Sequence, residues 1–208
     1  PYVKKALESV CVQTYRNFEI IVVNDGSTDN SENLARQILN KKSDGIPYKI
    51  INQSNAGVAA ARNNGVTASC GEYITFLDAD DWWCPEFLEK MNQMIVDYPE
   101  AGMYATNYVY YKTGKTHVAL NMPDGYMNYP KAYLQSSAMP IWTGGVCMAR
   151  RVFDDMGGFP LGVRLGEDFL LWAKTAIHYK IAYINNPLSY YNNDVPVSLR
   201  ATRNLHTP

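Results

Sequence analysis

Hydrophobic positions in the first half of the chain switch repeatedly between helical spacing and unbroken runs. Val3, Ala6, Leu7 and Val10 recur every three to four residues and predict an amphipathic helix over 3–12. Phe18–Val23 is a continuous β-branched run, the form of a parallel strand covered on both faces. Asp29 with Glu32 three residues on has the form of a capping box, and Leu34, Ile38 and Leu39 supply the inward stripe of the helix that follows. The alternation continues with a strand at 48–51, a helix over 56–68 and a strand at 73–77. A helix opened by Pro85 then runs to about Asp97. This order predicts an α/β fold with a doubly wound, mostly parallel sheet.

The second half is less regular. Met103–Tyr111 and Gly145–Ala149 predict strands, and Asn121–Tyr129, rich in Pro, Gly and Asn, predicts a loop. Phe169, Leu170, Trp172, Ala173 and Ile177 form a helical stripe after Glu167-Asp168, and Ile181–Ile184 predicts a late strand. One domain over 1–208 is expected, with two halves meeting near 111–112.

Composition narrows the class. With 208 residues and 47% hydrophobic content, the chain suffices for one substantial core. Its 19 basic residues against 20 acidic ones provide no basic field for nucleic acid, so DNA and RNA are not expected partners. Cys11, Cys70, Cys84 and Cys147 are scattered without zinc-site spacing, and a reducing compartment follows as the default. No secretory signal is evident, and the apolar runs fall short of the roughly 20 residues a membrane span needs. A cytoplasmic location is expected, compatible with peripheral association at the inner face of a membrane.

Candidate chemistry lies where the strands end. Ligands of an open parallel sheet bind outside the carboxyl ends of its strands. The runs ending in Asn24-Asp25-Gly26-Ser27 and Asp78-Ala79-Asp80-Asp81 therefore deliver carboxylates to one rim. The D-x-D triplet lets two carboxylates reach one divalent ion while a diphosphate supplies the other oxygens, and such hard ligands suit Mn²⁺ or Mg²⁺. The same triplet also reads as an acidic turn ahead of the Pro85 helix, and Asn24–Ser27 reads as a simple turn. Asp81 reads as a supporting group or a cap. Trp82 and Trp83 either stack on a sugar or pack beneath the next helix, and packing is the favoured reading; Trp142 carries the same two readings and Trp172 belongs to the core. His117, His178 and His206 share no ligand spacing. Neither G-x-G-x-x-G nor a P-loop is present, which argues against a Rossmann dehydrogenase and a P-loop NTPase.

The ordered set is more specific than its members: Asn24-Asp25-Gly26-Ser27, Asn55-Ala56-Gly57 with Ala61-Arg62-Asn63 and Gly65, the D-x-D, Gly158-Phe159, then Gly166-Glu167-Asp168. It closely resembles family-2 glycosyltransferases of the GT-A fold, from Tyr2 to about Ser198. The resemblance implies transfer of a sugar, with inversion, from a nucleotide-sugar donor, most simply a UDP-sugar, to a hydroxyl of a glycan or lipid-linked saccharide acceptor. It assigns the first half to the donor and the second to the acceptor. By the same resemblance Asp25 accepts a hydrogen bond from the pyrimidine and Arg62 lies near the base or diphosphate. Asp78 contacts the ribose or metal region, Asp80 ligates the metal, and Asp168 is the general base. Similar enzymes begin with a further central strand just before the point matching Tyr2, so the first strand of the family's sheet is expected to be missing from this chain. The bare residues leave two rivals open, a nucleotidyltransferase and a non-catalytic carbohydrate-binding module. Glu167-Asp168 also reads as ordinary acidity at a helix start, and the glycine-bearing stretch 160–166 before it reads as a loop able to fold over a donor.

Overall fold

The computed structural model of the chain describes residues 2–163 and 165–196. Position 164 of the glycine-bearing stretch, Ser198 and His206 lie outside them. Helix α1 (Tyr2–Cys11) buries Ala6, Leu7, Val10 and Cys11, the stripe its spacing predicts. Strand β1 (Ile20–Asp25), helix α2 (Ser31–Lys42), strand β2 (Tyr48–Gln53), helix α3 (Val58–Ala68) and strand β3 (Tyr73–Thr75) follow in the expected alternation. β1 and β2 pair in parallel, with Ile20 opposite Tyr48 and Asp25 opposite Gln53. Beyond them come β4 (Trp82–Trp83), α4 (Phe87–Asp97), β5 (Ala101–Lys112), β6 (Lys115–Val118), β7 (Gly125–Met127), α5 (Tyr129–Gln135), β8 (Val146–Ala149), α6 (Arg150–Met156), α7 (Glu167–His178) and β9 (Lys180–Asn192).

The second sheet has seven strands. Its main path runs β3-β8-β5-β9-β4, with β6 added to β5 and β7 to β9. β5 and β9 are parallel, whereas β8 is antiparallel to β3 and to β5. The fold is therefore α/β with helices on both faces, as expected, but its second half is mixed rather than parallel. Successive residues of the central strands alternate between two cores, as a period of two requires. Met103, Ala105, Ile181 and Tyr183 join the core containing Phe153, Phe159 and Trp172. Tyr104 and Ala182 point the other way, to Leu39, Trp83, Phe87 and Met91.

Three local expectations are corrected. The Asp29/Glu32 capping box does not form: helix α2 begins at Ser31 behind Asn30, and Asp29 Oδ1 instead accepts the Ser31 N–H at 3.0 Å, a tight side-chain turn. The segment 121–129 is not all loop, since Gly125–Met127 pairs with Tyr183–Ile181 of β9. In α7 the buried side is Glu167, Leu171, Trp172 and Thr175, whereas Leu170 and Ile177 are 45% and 75% exposed. Thr175 sits inward without penalty because its hydroxyl donates to the Leu171 carbonyl at 2.8 Å.

One gap bears on the strand expected to be missing. Among the described strands β1 pairs only with β2 and β3 only with β8. A cleft of about 940 Å³ lies between β1 and β3, lined by Ile20, Val22, Ile74 and Phe76 among others. The facing edges of both strands are thus left without a described partner.

Candidate active site

The carboxyl ends of β1 and of the run leaving β3 reach the same rim, and α7 starts beside them. A cleft of about 520 Å³ there is lined by Asn24, Ser27, Asp78, Asp80, Asp81 and Trp142, among others. It is smaller than the cleft between β1 and β3, which Arg62 and Asp78 also line, but it holds the whole D-x-D and is the candidate site; Asp25, Arg62 and Asp168 stand outside its described lining.

Arg62, on α3, is the link between the two halves. Its Nη2 donates to both oxygens of Asp78, at 2.9 and 3.0 Å, and its Nη1 donates to Glu167 Oε1 at 2.8 Å. The Arg62 side chain is 10% exposed and that of Glu167 9%, so this pair is largely withdrawn from water. Burial opposes the guanidinium charge, but Asp78, then Glu167 and Asp168, outweigh it and hold the Arg62 pKa above its ordinary value. A planar fork with several donors suits this double task, which an ammonium on one stem does not. The guanidinium also lies over the Phe159 ring, 5.1 Å from its centroid. The Gly158-Phe159 motif is held to the same helix, because Asn63 Nδ2 donates to the Phe159 carbonyl and Asn63 Oδ1 accepts its N–H, each at 2.9 Å.

Asp168 sits in the first turn of α7, behind Gly166, whose φ of 83° lies in the left-handed region that suits glycine. Oδ2 of Asp168 accepts the Thr143 hydroxyl at 2.7 Å and Oδ1 accepts the Phe169 N–H at 2.7 Å. The carboxylate is thus fixed at both oxygens and remains partly open to the rim. Tyr129, 2% exposed, lies behind it with a buried hydroxyl that has no hydrogen-bond partner. Burial first, and the Asp168 charge second, raise that phenol's pKa far above its ordinary value.

Asp25 orders a loop. Its Oδ1 accepts from Gln53 Nε2 at 2.8 Å and from the Ala56 N–H at 2.7 Å, and its Oδ2 accepts the Gly57 N–H at 2.9 Å. A carboxylate has about four acceptor sites, which leaves room for one further donor. The turn after it needs a glycine, because a Cβ on Gly26, at φ 73°, would stand 2.8 Å from the Asn55 nitrogen.

Asp78 and Asp80 are the carboxylates that the sequence assigns to a divalent metal. Their oxygen chemistry fits Mn²⁺ or Mg²⁺, but Asp78 already holds Arg62, and among the described residues no three Asp, Glu, His or Cys side chains form a metal-holding group. The residues therefore fit a metal shared with a ligand's oxygens rather than one caged by protein alone. Asp81, predicted as a support or cap, is 2% exposed. Its Oδ1 accepts the Asn192 N–H at 2.9 Å, while burial, then the Asp78 charge, push its pKa well above the usual carboxylate range.

The tryptophans divide. Trp83 packs, stacked on Phe87 with centroids 4.3 Å apart and donating Nε1 to the Gly144 carbonyl at 2.6 Å. Trp82 stacks on Tyr190 and carries the Lys5 ammonium 2.9 Å from its ring centroid. Trp172 is fully buried, and Trp142 lines the rim against Tyr191. His117 stacks on Tyr110 and His178 closes α7, so neither approaches the site acids. All four cysteines are free thiols. Sequence reasoning missed Thr143 and the Arg62–Glu167 pair. The Gly144-Gly145 pair beside Trp142 is the one signal that a tightly packed turn stands there.

An α/β sheet that gathers a D-x-D and a helix-start carboxylate on one rim has the form of a GT-A glycosyltransferase domain. The chain belongs to glycosyl transferase family 2, whose profile matches residues 1–157. Glycosyltransferase GlyA of Streptococcus pneumoniae is 34% identical over 206 residues, covering 91% of this chain and 28% of that protein. The putative glycosyltransferase EpsH of Bacillus subtilis is 37% identical over 134 residues, covering 64% of this chain and 37% of that protein. The chain thus spans well under half the length of these relatives. Among solved structures, S. aureus TarS 1-349 in complex with UDP-GlcNAc matches with a TM-score of 0.78 at 19% identity, over 94% of this chain and 56% of that one. The mannosyltransferase PcManGT from Pyrobaculum calidifontis, in complex with GDP-Man and Mn²⁺, matches at 0.69 and 20% identity, over 94% and 54%. Family membership places the chain among the glycosyltransferases rather than among nucleotidyltransferases or carbohydrate-binding modules.

Proposed function

We propose that this domain transfers a sugar, with inversion and with a divalent metal, from a nucleotide-diphosphate donor, a UDP-sugar in the simplest reading, to a glycan or lipid-linked acceptor hydroxyl. The observation that carries this is the Arg62 bridge, which ties the D-x-D end of the rim through Asp78 to the helix start that presents Asp168. Asp168 takes the proton of the acceptor hydroxyl as its oxygen bonds to the anomeric carbon. On the opposite face the bond from that carbon to the diphosphate breaks, so the diphosphate leaves with the electron pair and the centre inverts. Thr143 holds the carboxylate in place by donating to Oδ2. Asp80, with Asp78, would hold the Mn²⁺ or Mg²⁺, which when bound offsets charge on the departing nucleoside diphosphate. Asp25 keeps one acceptor position for a base N–H while it orders the 54–57 loop.

The UDP-GlcNAc complex of TarS and the GDP-Man and Mn²⁺ complex of PcManGT support this reading of donor and metal. Among the described residues no helix is long and apolar enough to cross a membrane, and we place the reaction at the cytoplasmic face, where a lipid-linked acceptor presents its sugar. Calorimetric titration of the full-length protein with UDP, with and without Mn²⁺, tests the assignment. Asp80→Ala is expected to abolish the metal-dependent part of UDP binding and leave the melting temperature nearly unchanged, because a partly exposed rim carboxylate contributes little to the core. Undiminished UDP affinity in Mn²⁺ would refute the role of Asp80.

A further inference from the structure

Two hydrogen bonds hold the Asp168 carboxylate, and they are not equivalent. The one at Oδ1 comes from the N–H of Phe169, the next residue in the chain, so it fixes the carboxylate only relative to its own backbone. The one at Oδ2 comes from the Thr143 hydroxyl, 25 residues away, and orients the carboxylate against the rest of the rim. Thr143 is 1% exposed, so bulk water does not compete for its hydroxyl. Thr143 is itself held from several sides. It opens a single 3₁₀ turn, Thr143–Gly145, closed by the Gly145 N–H donating to the Trp142 carbonyl at 2.9 Å. Gly145 lies against the central strands β5 and β9, where a Cβ on it would stand 3.2 Å from Thr106 Oγ1 and from Ser189 Oγ. The Gly144 carbonyl accepts Trp83 Nε1 at 2.6 Å, and Trp83 belongs to β4, the strand that begins directly after Asp81.

A hydrogen-bonded path therefore runs from the D-x-D segment to Asp168: the Trp83 indole N–H to the Gly144 carbonyl, the turn to Thr143, and the Thr143 hydroxyl to Oδ2. It is separate from the Arg62 bridge, which reaches α7 through Glu167. The last torsion of an aspartate is broad, whereas a general base acts only when a lone pair meets the proton within hydrogen-bond reach. With Thr143 on one oxygen and the Phe169 N–H on the other, two of about four acceptor sites are taken, and the remaining ones have a fixed direction. We propose that Trp83 and Thr143 are positioning residues for sugar transfer: Trp83 sets the turn, the turn aims the Thr143 hydroxyl, and that hydroxyl aims Asp168 at the acceptor. This rests on the glycosyl-transfer reading above and adds to it Trp83, whose indole N–H acts on the base from the D-x-D end of the rim.

The test follows UDP release by the full-length protein in Mn²⁺ from UDP-glucose, UDP-galactose and UDP-N-acetylglucosamine, with p-nitrophenyl glycosides of the same sugars as acceptors. The pair with the highest wild-type turnover serves for the variants. Thr143→Val nearly keeps the shape and removes the hydroxyl, and should lower kcat about tenfold to 10²-fold, the scale on which a small misplacement of a reacting group costs rate. The donor KM and the affinity for UDP should stay within about twofold, because the hydroxyl acts on the base and not on the nucleotide. Thr143→Ser keeps the hydroxyl and loses only a methyl, so it should recover most of kcat whatever it does to the melting temperature. Trp83→Phe keeps a ring on Phe87 and removes the N–H, and should lower kcat about threefold to tenfold at the same KM. Added to Asp168→Asn, Thr143→Val should change the residual turnover by less than about twofold, since the group it aims no longer takes a proton. Wild-type kcat in Thr143→Val, equal losses in Thr143→Val and Thr143→Ser, unchanged kcat in Trp83→Phe, or a full further loss on top of Asp168→Asn would each overturn the proposal. Near-normal turnover by Asp168→Asn would instead remove the general-base reading, and a wild type that turns over no pair would remove the glycosyl-transfer reading, each taking this inference with it.

Discussion

Asp168→Asn is expected to lower sugar transfer by about 10²- to 10⁴-fold, the usual range for loss of a positioned general base. The amide has nearly the shape of the carboxylate, and its oxygen can still accept from Thr143 or from the Phe169 N–H, so α7 should start as before. It cannot take a proton. Nucleotide affinity should hardly move, since the loss falls on the transition state and the donor's charge meets other residues. Glu167→Gln should cost less, because the amide oxygen can still accept from Arg62 while only the ionic part of that contact is lost. Steady-state transfer by the full-length enzyme, with donor and acceptor identified, is the measurement. Near-normal turnover by Asp168→Asn would remove it from the proton-transfer role.

The largest loss of stability is expected at Arg62. Arg62→Met keeps most of the side-chain volume over Phe159 and leaves Glu167, 7% exposed, as a buried carboxylate with no cation. Breaking a buried pair from one side costs about 3–5 kcal/mol, because the abandoned charge keeps its desolvation penalty. The Asp78 arm adds less, since that side chain is 33% exposed and water can replace the contact. Arg62→Lys should recover only part of the loss, as a single ammonium cannot serve both carboxylates in the same geometry. Urea unfolding would read these differences directly. A loss below about 1 kcal/mol for Arg62→Met, the range of exposed pairs, would show that the bridge is not a structural tie.

How much of this was legible in the sequence depended on how local the determining interactions are. Helix α1 and strand β1 announce themselves because burial on one face or on both leaves a period in the residues, and α3 and α4 follow from their place in the alternation. β7 does not, since Gly125–Met127 is short and is a strand only because β9 lies beside it. The stripe assigned to α7 failed for a related reason. Periodicity sets Leu170 and Ile177 inward for being apolar, whereas the fold buries Glu167 and Thr175, which become tolerable inside only once Arg62 and the Leu171 carbonyl are there. At the site, the D-x-D and Glu167-Asp168 could be picked out as candidates from their spacing and order. That Arg62 is committed to both, and that Asp25 spends its oxygens on the 56–57 backbone, are facts of assembly. No spacing along the chain encodes a contact between residues 62 and 167.

The pairing of β5 with β9 sets a condition on how the chain reaches this state. Ala101 lies opposite Lys180 and Tyr111 opposite Asn192, so the long parallel ladder at the centre of the larger sheet joins segments made far apart in time. On a ribosome, β5 emerges with neither β8 nor β9 yet synthesised, and its residues Ala101–Val109, all buried at the end, have no sheet to enter. Parallel pairing at such separation must meet its loop-closure cost before any contact rewards it, which slows folding and prolongs exposure of an apolar strand. Folding during synthesis is therefore expected to stall until the segment around Asn192 has left the exit tunnel. The donor-side half should not acquire protease resistance ahead of the rest, and the nascent chain should present β5 as a binding site for holding chaperones in the interval.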